Sequence, residues 1–234
     1  MDELIKLMNV NLNYPIYSMN RSLRSIMLNK KKNQINFIHA LKDINLNIKK
    51  GDRIGLLGKN GSGKTTLLKT ISGIFSPTTG SVNVKYETFS LFDINMGLNL
   101  DATGIENIYI LGYLRGFNKN QITKRLNAII EFSELNKFIN LPINTYSSGM
   151  RIRLASAIAL EIDPKILLID EFFGAGDSDF KEKSRIALKE KINEIEVLIF
   201  ASHDNELIKS TCNRIITLEN GSIIKDEINP IYQE

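Results

Sequence analysis

Gly58-Lys59-Asn60-Gly61-Ser62-Gly63-Lys64-Thr65-Thr66 sets three glycines, two lysines and two threonines between the apolar run Arg53–Leu57 and a helical pattern that opens at Lys64. Glycines at that spacing let a backbone turn tightly and aim its N–H groups inward. A lysine at Lys64 adds a point charge for outer phosphates, and a hydroxyl at Thr65 is a hard ligand for Mg²⁺. The positive end of the following helix adds to the same field. A plain glycine turn between strand and helix has no need of this combination, so the stretch reads as a cradle for a nucleoside triphosphate.

Two carboxylates, Asp170 and Glu171, close the apolar run Ile166-Leu167-Leu168-Ile169. Taken alone, adjacent acids after a strand start a solvated loop. Beside a phosphate cradle, Asp170 is the residue type that supports Mg²⁺ and Glu171 the type that polarises an attacking water. His203 follows another apolar run and is placed to meet a γ-phosphate, although a single histidine is more often structural.

These residues must be delivered by particular elements. Ile5 to Leu12 reads as a first strand and Ala40 to Ile48 as a second, with the long connection Asn13–His39 between them. Within that connection Met19–Leu28 has apolar residues at helical spacing beside Arg21 and Arg24, which predicts an amphipathic insertion over about residues 15–36 suited to a partner or a membrane surface. Short strands are expected at Ser81–Val84 and Phe89–Phe92. From about 95 to 160 the pattern is helical, opening with a capping box at Thr103 and Glu106. The carboxylate run suits a strand buried on both faces that ends at a ligand crevice. A helix at Asp179–Asn193, a strand Val197–Ala201, a helix near Asn205–Cys212 and a hairpin turning at Glu219–Ser222 complete the chain. The fold class is therefore α/β, organised as a single domain with an inserted helical part.

Composition narrows the function classes. The 234 residues are 43% hydrophobic and 24% charged, as in an ordinary globular protein. A net charge of +4 with dispersed lysines gives no footprint for nucleic acid. The single cysteine, Cys212, excludes an internal disulfide and suits a buried apolar role. No apolar stretch approaches a membrane-spanning length, and Met1–Leu4 does not begin a secretory leader, so the chain is expected to be neither secreted by that route nor integral to a membrane.

Tyr146-Ser147-Ser148-Gly149-Met150-Arg151-Ile152-Arg153-Leu154-Ala155 is a small polar loop opening a helix ahead of the carboxylate strand. With it, nearly the whole chain resembles an ATP-binding-cassette (ABC) ATPase: P-loop, signature loop, carboxylate strand, Gly176-Asp177 as the D-loop, and His203 as the switch histidine, in family order. The expected architecture is a P-loop ABC core with an antiparallel β subdomain and an inserted helical subdomain. The variants Tyr-Ser-Ser-Gly-Met, Gly176-Asp177 and Thr103-Gly104-Ile105-Glu106-Asn107-Ile108 resemble the branch that energises export of bacterial O-antigen, capsule and teichoic acid. Leu98, Phe172 and Phe173 depart from that branch, and Asp93 stands where the family usually has glutamine.

The resemblance implies ATP and Mg²⁺ as cofactors, with Tyr14 stacking on adenine and Asp93 beside the metal with Thr65 and Asp170. It implies a head-to-tail homodimer in which Ser147, Ser148 and Gly149 of one chain cover the γ-phosphate held by the other, and it makes Asp177 of the D-loop a further nucleotide-binding residue. It implies membrane permease subunits as partners and a lipid-linked polysaccharide as cargo at the cytoplasmic face of the inner membrane. The hairpin ends near Glu227, so the further carbohydrate-binding domain of many O-antigen members is expected to be absent. Rival readings keep the ATPase with another cargo, or make the chain an ABC protein acting on ribosomes or DNA; the latter usually carries two cassettes or a long coiled-coil insertion.

Overall fold

The computed structural model describes residues 2–16, 36–91, 97–114, 116–161, 164–170, 178–192, 194–202 and 205–232. The predicted helix at Met19–Leu28, together with Asp93, Glu171, Asp177 and His203, lies outside them.

The chain begins with two long antiparallel strands, β1 (Glu3–Ile16) and β2 (Asn36–Lys49). Both run further than their apolar alternation predicts, because Asn13↔His39, Tyr14↔Ile38, Pro15↔Phe37 and Ile16↔Asn36 continue the ladder. This corrects the Asn13–His39 connection and the 15–36 insertion: residues 15, 16 and 36 belong to strands. The extension includes Pro15, although a proline argues against a central strand. It is tolerated here because the neighbour on the other side of β1 pairs only as far as Asn11↔Thr79, which leaves an open edge at Pro15.

β3 (Arg53–Leu57) leads through the glycine loop into α1 (Lys64–Ile71). β4 (Thr79–Val84) joins β1 to give a three-stranded antiparallel sheet in the order β2-β1-β4. β5 (Thr88–Leu91) opens a second sheet. Three helices follow: α2 (Gly104–Leu114), α3 (Lys119–Ser133) and α4 (Ser148–Glu161). The predicted capping box at α2 is present, with Thr103 N donating to Glu106 Oε2 at 2.7 Å and Glu106 N to Thr103 Oγ1 at 3.2 Å.

The remaining elements are β6 (Ile166–Asp170), α5 (Ser178–Ile192), β7 (Val197–Ala201), α6 (Asn205–Thr211), β8 (Arg214–Glu219) and β9 (Ser222–Ile228). They complete a six-stranded sheet in the order β5-β6-β7-β3-β8-β9, parallel except for the last hairpin. That hairpin turns on Asn220 (φ +49°) and Gly221 (φ +85°), the two left-handed positions of a tight two-residue turn.

Continuous apolar runs in β6 and β7 feed two cores because successive side chains alternate between faces. Ile166, Leu168, Val197 and Ile199 join Leu67, Leu68 and Ile71 of α1 and the buried face of the antiparallel sheet. Leu167, Ile169, Leu198 and Phe200 join Leu154, Ala157 and Ile158 of α4 and Ile208 of α6. At roughly 1.5–3 kcal/mol for each fully buried aliphatic or aromatic side chain, these two layers fix the sheet between its helices. No helix among the described residues is long and apolar enough to cross a membrane.

Candidate functional site

Register across the parallel sheet sets the site. Leu56 pairs with Ala201, and Ala201 with Asp170, so β3, β7 and β6 end level with one another. The strand ends of an open α/β sheet form its ligand crevice. Here β3 delivers the glycine loop, and β6 delivers Asp170 beside it.

The loop keeps its shape by contacts that only glycine allows. Gly58 has φ +150°, and a Cβ there would lie 2.5 Å from both Leu218 O and Ser62 Oγ. Gly63 has φ +109°, and a Cβ there would lie 3.0 Å from Ala40 O. Lys64 is 7% exposed, and its Nζ donates to Gly58 O at 2.7 Å and Lys59 O at 3.3 Å, so the ammonium sits inside the loop. Gly63 caps α1 without a side-chain hydrogen bond, and the first turn carries no acid. The N–H groups of that turn and the positive end of the helix thus suit an anion, with no side-chain cap or acid in the first turn to compete for them.

A cleft of about 630 Å³ opens over this loop, lined by Asn60, Gly61, Ser62, Gly63, Lys64, Thr65, Thr66 and Asp170, and on its far wall by Tyr14, Ile38, His39 and Ala40. The structure therefore brings together the P-loop, Asp170 and Tyr14, residues 156 positions apart at the extremes (170 − 14). Tyr14 meets the ring of Phe75 edge-on, centroids 5.7 Å apart at 80°. This contact holds one edge of the aromatic while the residue also lines the cleft. Ser62 Oγ is buried with no hydrogen-bond partner, as expected of a hydroxyl that borders a phosphate site. Thr65 and Asp170 offer a hydroxyl and a carboxylate to the same cleft, hard oxygen donors that fit Mg²⁺.

Residues that sequence reasoning did not single out complete the site. Ile38 and His39 became wall residues because β2 starts earlier than predicted, and His39 Nδ1 is held 2.7 Å from Asn13 Oδ1. The tip of the last hairpin braces the loop: Gly221 N donates to Ser62 O at 3.0 Å and Lys42 N to Gly221 O at 2.8 Å. No local signal in either segment announces that brace.

Ser147, Ser148 and Gly149 are placed elsewhere, at the exposed N-terminus of α4, and none of them lines the cleft among the described residues. Ser147 Oγ accepts from Met150 N at 3.2 Å and so caps the helix, which leaves its own proton to be donated outward.

Comparison with known proteins agrees with this geometry. The family described as ABC transporter matches residues 41–174. The O-antigen export system ATP-binding protein RfbE of Yersinia enterocolitica is 37% identical over 230 residues, covering 94% of this chain and 96% of that protein. The teichoic acids export ATP-binding protein TagH of Shouchella clausii is also 37% identical, covering 97% of this chain and 64% of its own length. Among solved structures, the dimeric post-hydrolysis state of the ATP-binding cassette MJ0796 bound to ADP and Pi superposes with a TM-score of 0.76 at 27% identity, covering 96% of this chain and 98% of that one. A glycine loop and a carboxylate strand ending side by side, on a sheet shared with these relatives, place the chain in the ABC transporter family, with that family's ATPase cassette as its fold.

Proposed function

We propose that this chain is the ATP-hydrolysing subunit of an exporter that moves a lipid-linked surface polysaccharide, of O-antigen, capsule or teichoic acid type, across the bacterial inner membrane. The observation that carries the cargo class is the similarity to O-antigen and teichoic acid export proteins along more than nine-tenths of this chain. The segment Thr103–Ile108 supports the same branch.

In this reading the backbone of Gly58–Thr66 and the ammonium of Lys64 bind the phosphates, and Tyr14 stacks on the adenine. Thr65 and Asp170 would hold Mg²⁺, with Asp93 assigned beside them, and the bound ion would supply positive charge to the phosphates. Glu171 takes the proton of the attacking water, and His203 contacts the γ-phosphate. Two chains pack head to tail, so that Ser147, Ser148, Gly149 and Asp177 of one complete the site of the other. The dimer sits at the cytoplasmic face under membrane permease subunits, and closure on ATP drives those subunits.

The test is export itself. Cells carrying Glu171→Gln in this chain should accumulate lipid-linked polysaccharide inside while surface labelling of the glycan falls. Normal surface glycan with loss of transport of a drug or small solute would overturn the cargo and leave the ATPase.

A further inference from the structure

The segment before α2 and the segment before α4 run alongside one another. Ile105 N donates to Ile139 O at 3.1 Å, Ile143 N to Ala102 O at 3.0 Å and Asn144 N to Leu100 O at 2.8 Å, with a bridge between Thr103 and Pro142. This short ladder ends where Tyr146 leads into Ser147. Tyr146 is 4% exposed although both residues after it are exposed. Its hydroxyl donates to Phe138 O at 2.8 Å. A Cβ at Gly104 would lie 2.6 Å from that hydroxyl and 2.8 Å from Ile139 Cδ1, so the glycine is the floor on which the phenol rests.

An aliphatic side chain would fill the apolar part of this pocket. Only a phenol also reaches Phe138 O, which gives the loop two points of attachment, ring and hydroxyl. Two points fix rotation as well as position. The fixed object is the helix start at Ser147, whose Oγ and O accept from Met150 N and Arg151 N at 3.2 and 3.1 Å.

We propose that Tyr146 is a positioning residue: its buried ring and its bond to Phe138 O, seated on Gly104, aim the N–H groups of Ser148 and Gly149 and the hydroxyl of Ser147 at a nucleotide held by a second chain. This rests on the reading that two chains share each site. Its effect therefore appears in trans, on turnover, and not on the nucleotide affinity of the chain that carries it.

The experiment uses the full chain. Tyr146→Ala should lower kcat about tenfold or more, with the ATP affinity of the monomer within about twofold of the parent. Tyr146→Phe keeps the ring but loses the bond to Phe138 O, so its kcat should fall measurably below the parent's and stay above that of Tyr146→Ala; it also serves if Tyr146→Ala fails to fold. Each Tyr146 variant is then mixed with Lys64→Ala, beside a control mixture of Ser147→Arg with Lys64→Ala, reading ATPase activity and ATP-dependent dimerisation. Recovery in both mixtures is expected, because one site then has an intact P-loop facing an intact signature. Recovery with Ser147→Arg but not with Tyr146→Ala places Tyr146 in its own site and overturns the inference alone. Absence of an ATP-dependent mixed dimer as well as of recovered activity in both mixtures overturns the shared site itself. Unchanged kcat in Tyr146→Ala, or in Tyr146→Phe where that is the variant that folds, overturns the positioning role, as does a parallel loss of ATP affinity.

Discussion

Asn107 and Asn99 bond one another in both directions: Asn99 N donates to Asn107 Oδ1 at 2.7 Å, and Asn107 Nδ2 donates back to Asn99 O at 2.9 Å. The same amide nitrogen lies 3.2 Å from Ala102 O and 2.9 Å from Thr103 O, and the side chain is fully buried. One asparagine on α2 thus satisfies the polar backbone of the loop that precedes it. That is the physical content of the Thr-Gly-Ile-Glu-Asn-Ile segment, with Thr103 and Glu106 as cap and Gly104 as floor for Tyr146.

Asn107→Ala leaves buried backbone groups of that loop without partners, at a cost of about 2–3 kcal/mol. For a chain of this size that corresponds to a fall in Tm of roughly 4–12 °C. Thermal unfolding followed by circular dichroism checks it; a shift under about 1 °C would show that the loop finds other partners.

Lys64→Ala removes the charge held between Gly58 O and Lys59 O. Tight ATP binding should be lost while the fold survives, since the lysine holds no element in place apart from its own loop. Isothermal titration of the purified variant decides, and unchanged affinity would remove Lys64 from the site.

Glu134 receives Lys183 Nζ at 2.8 Å and pairs with Arg153, tying the end of α3 to α4 and α5. Hydrogen bonds from Lys183 first and Arg153 second hold its carboxyl below the usual range. A depressed carboxylate contributes stability above its unfolded pKa, near 4.5, and loses it as pH falls through the lower folded value. Parent and Glu134→Gln should therefore differ in Tm at pH 7 and converge in acid. A gap that stays constant down to pH 3 would mean the carboxylate's charge is not what matters.

Burial pushes the Cys212 thiol up to about 12, with Arg53 opposing it weakly. At pH 8 the thiol should not react with a disulfide reagent in the folded protein and should react once on unfolding. Labelling that outpaces unfolding would show that α6 opens from β3 locally.

Much of this protein is set locally and is legible in the residues. The strand-to-glycine-to-lysine sequence at Arg53–Thr66 forms its loop from its own backbone preferences. The Asn220-Gly221 turn and the Thr103/Glu106 cap act over two to four residues, and the apolar runs of β6 and β7 declare double burial by composition. Tertiary structure decided what depends on distant partners. Pro15 spoke against a strand until the short reach of β4 left it an open edge, and that extension carried Ile38 and His39 to the cleft. The level ends of β3, β7 and β6, which set Asp170 beside the P-loop, come from two registers between separate strands, Leu56 with Ala201 and Ala201 with Asp170. The hold of Gly221 on Ser62 and of Tyr146 on Phe138 and Gly104 likewise arises only when separate segments meet. A hydrogen bond across such a gap leaves no periodicity in the chain that makes it.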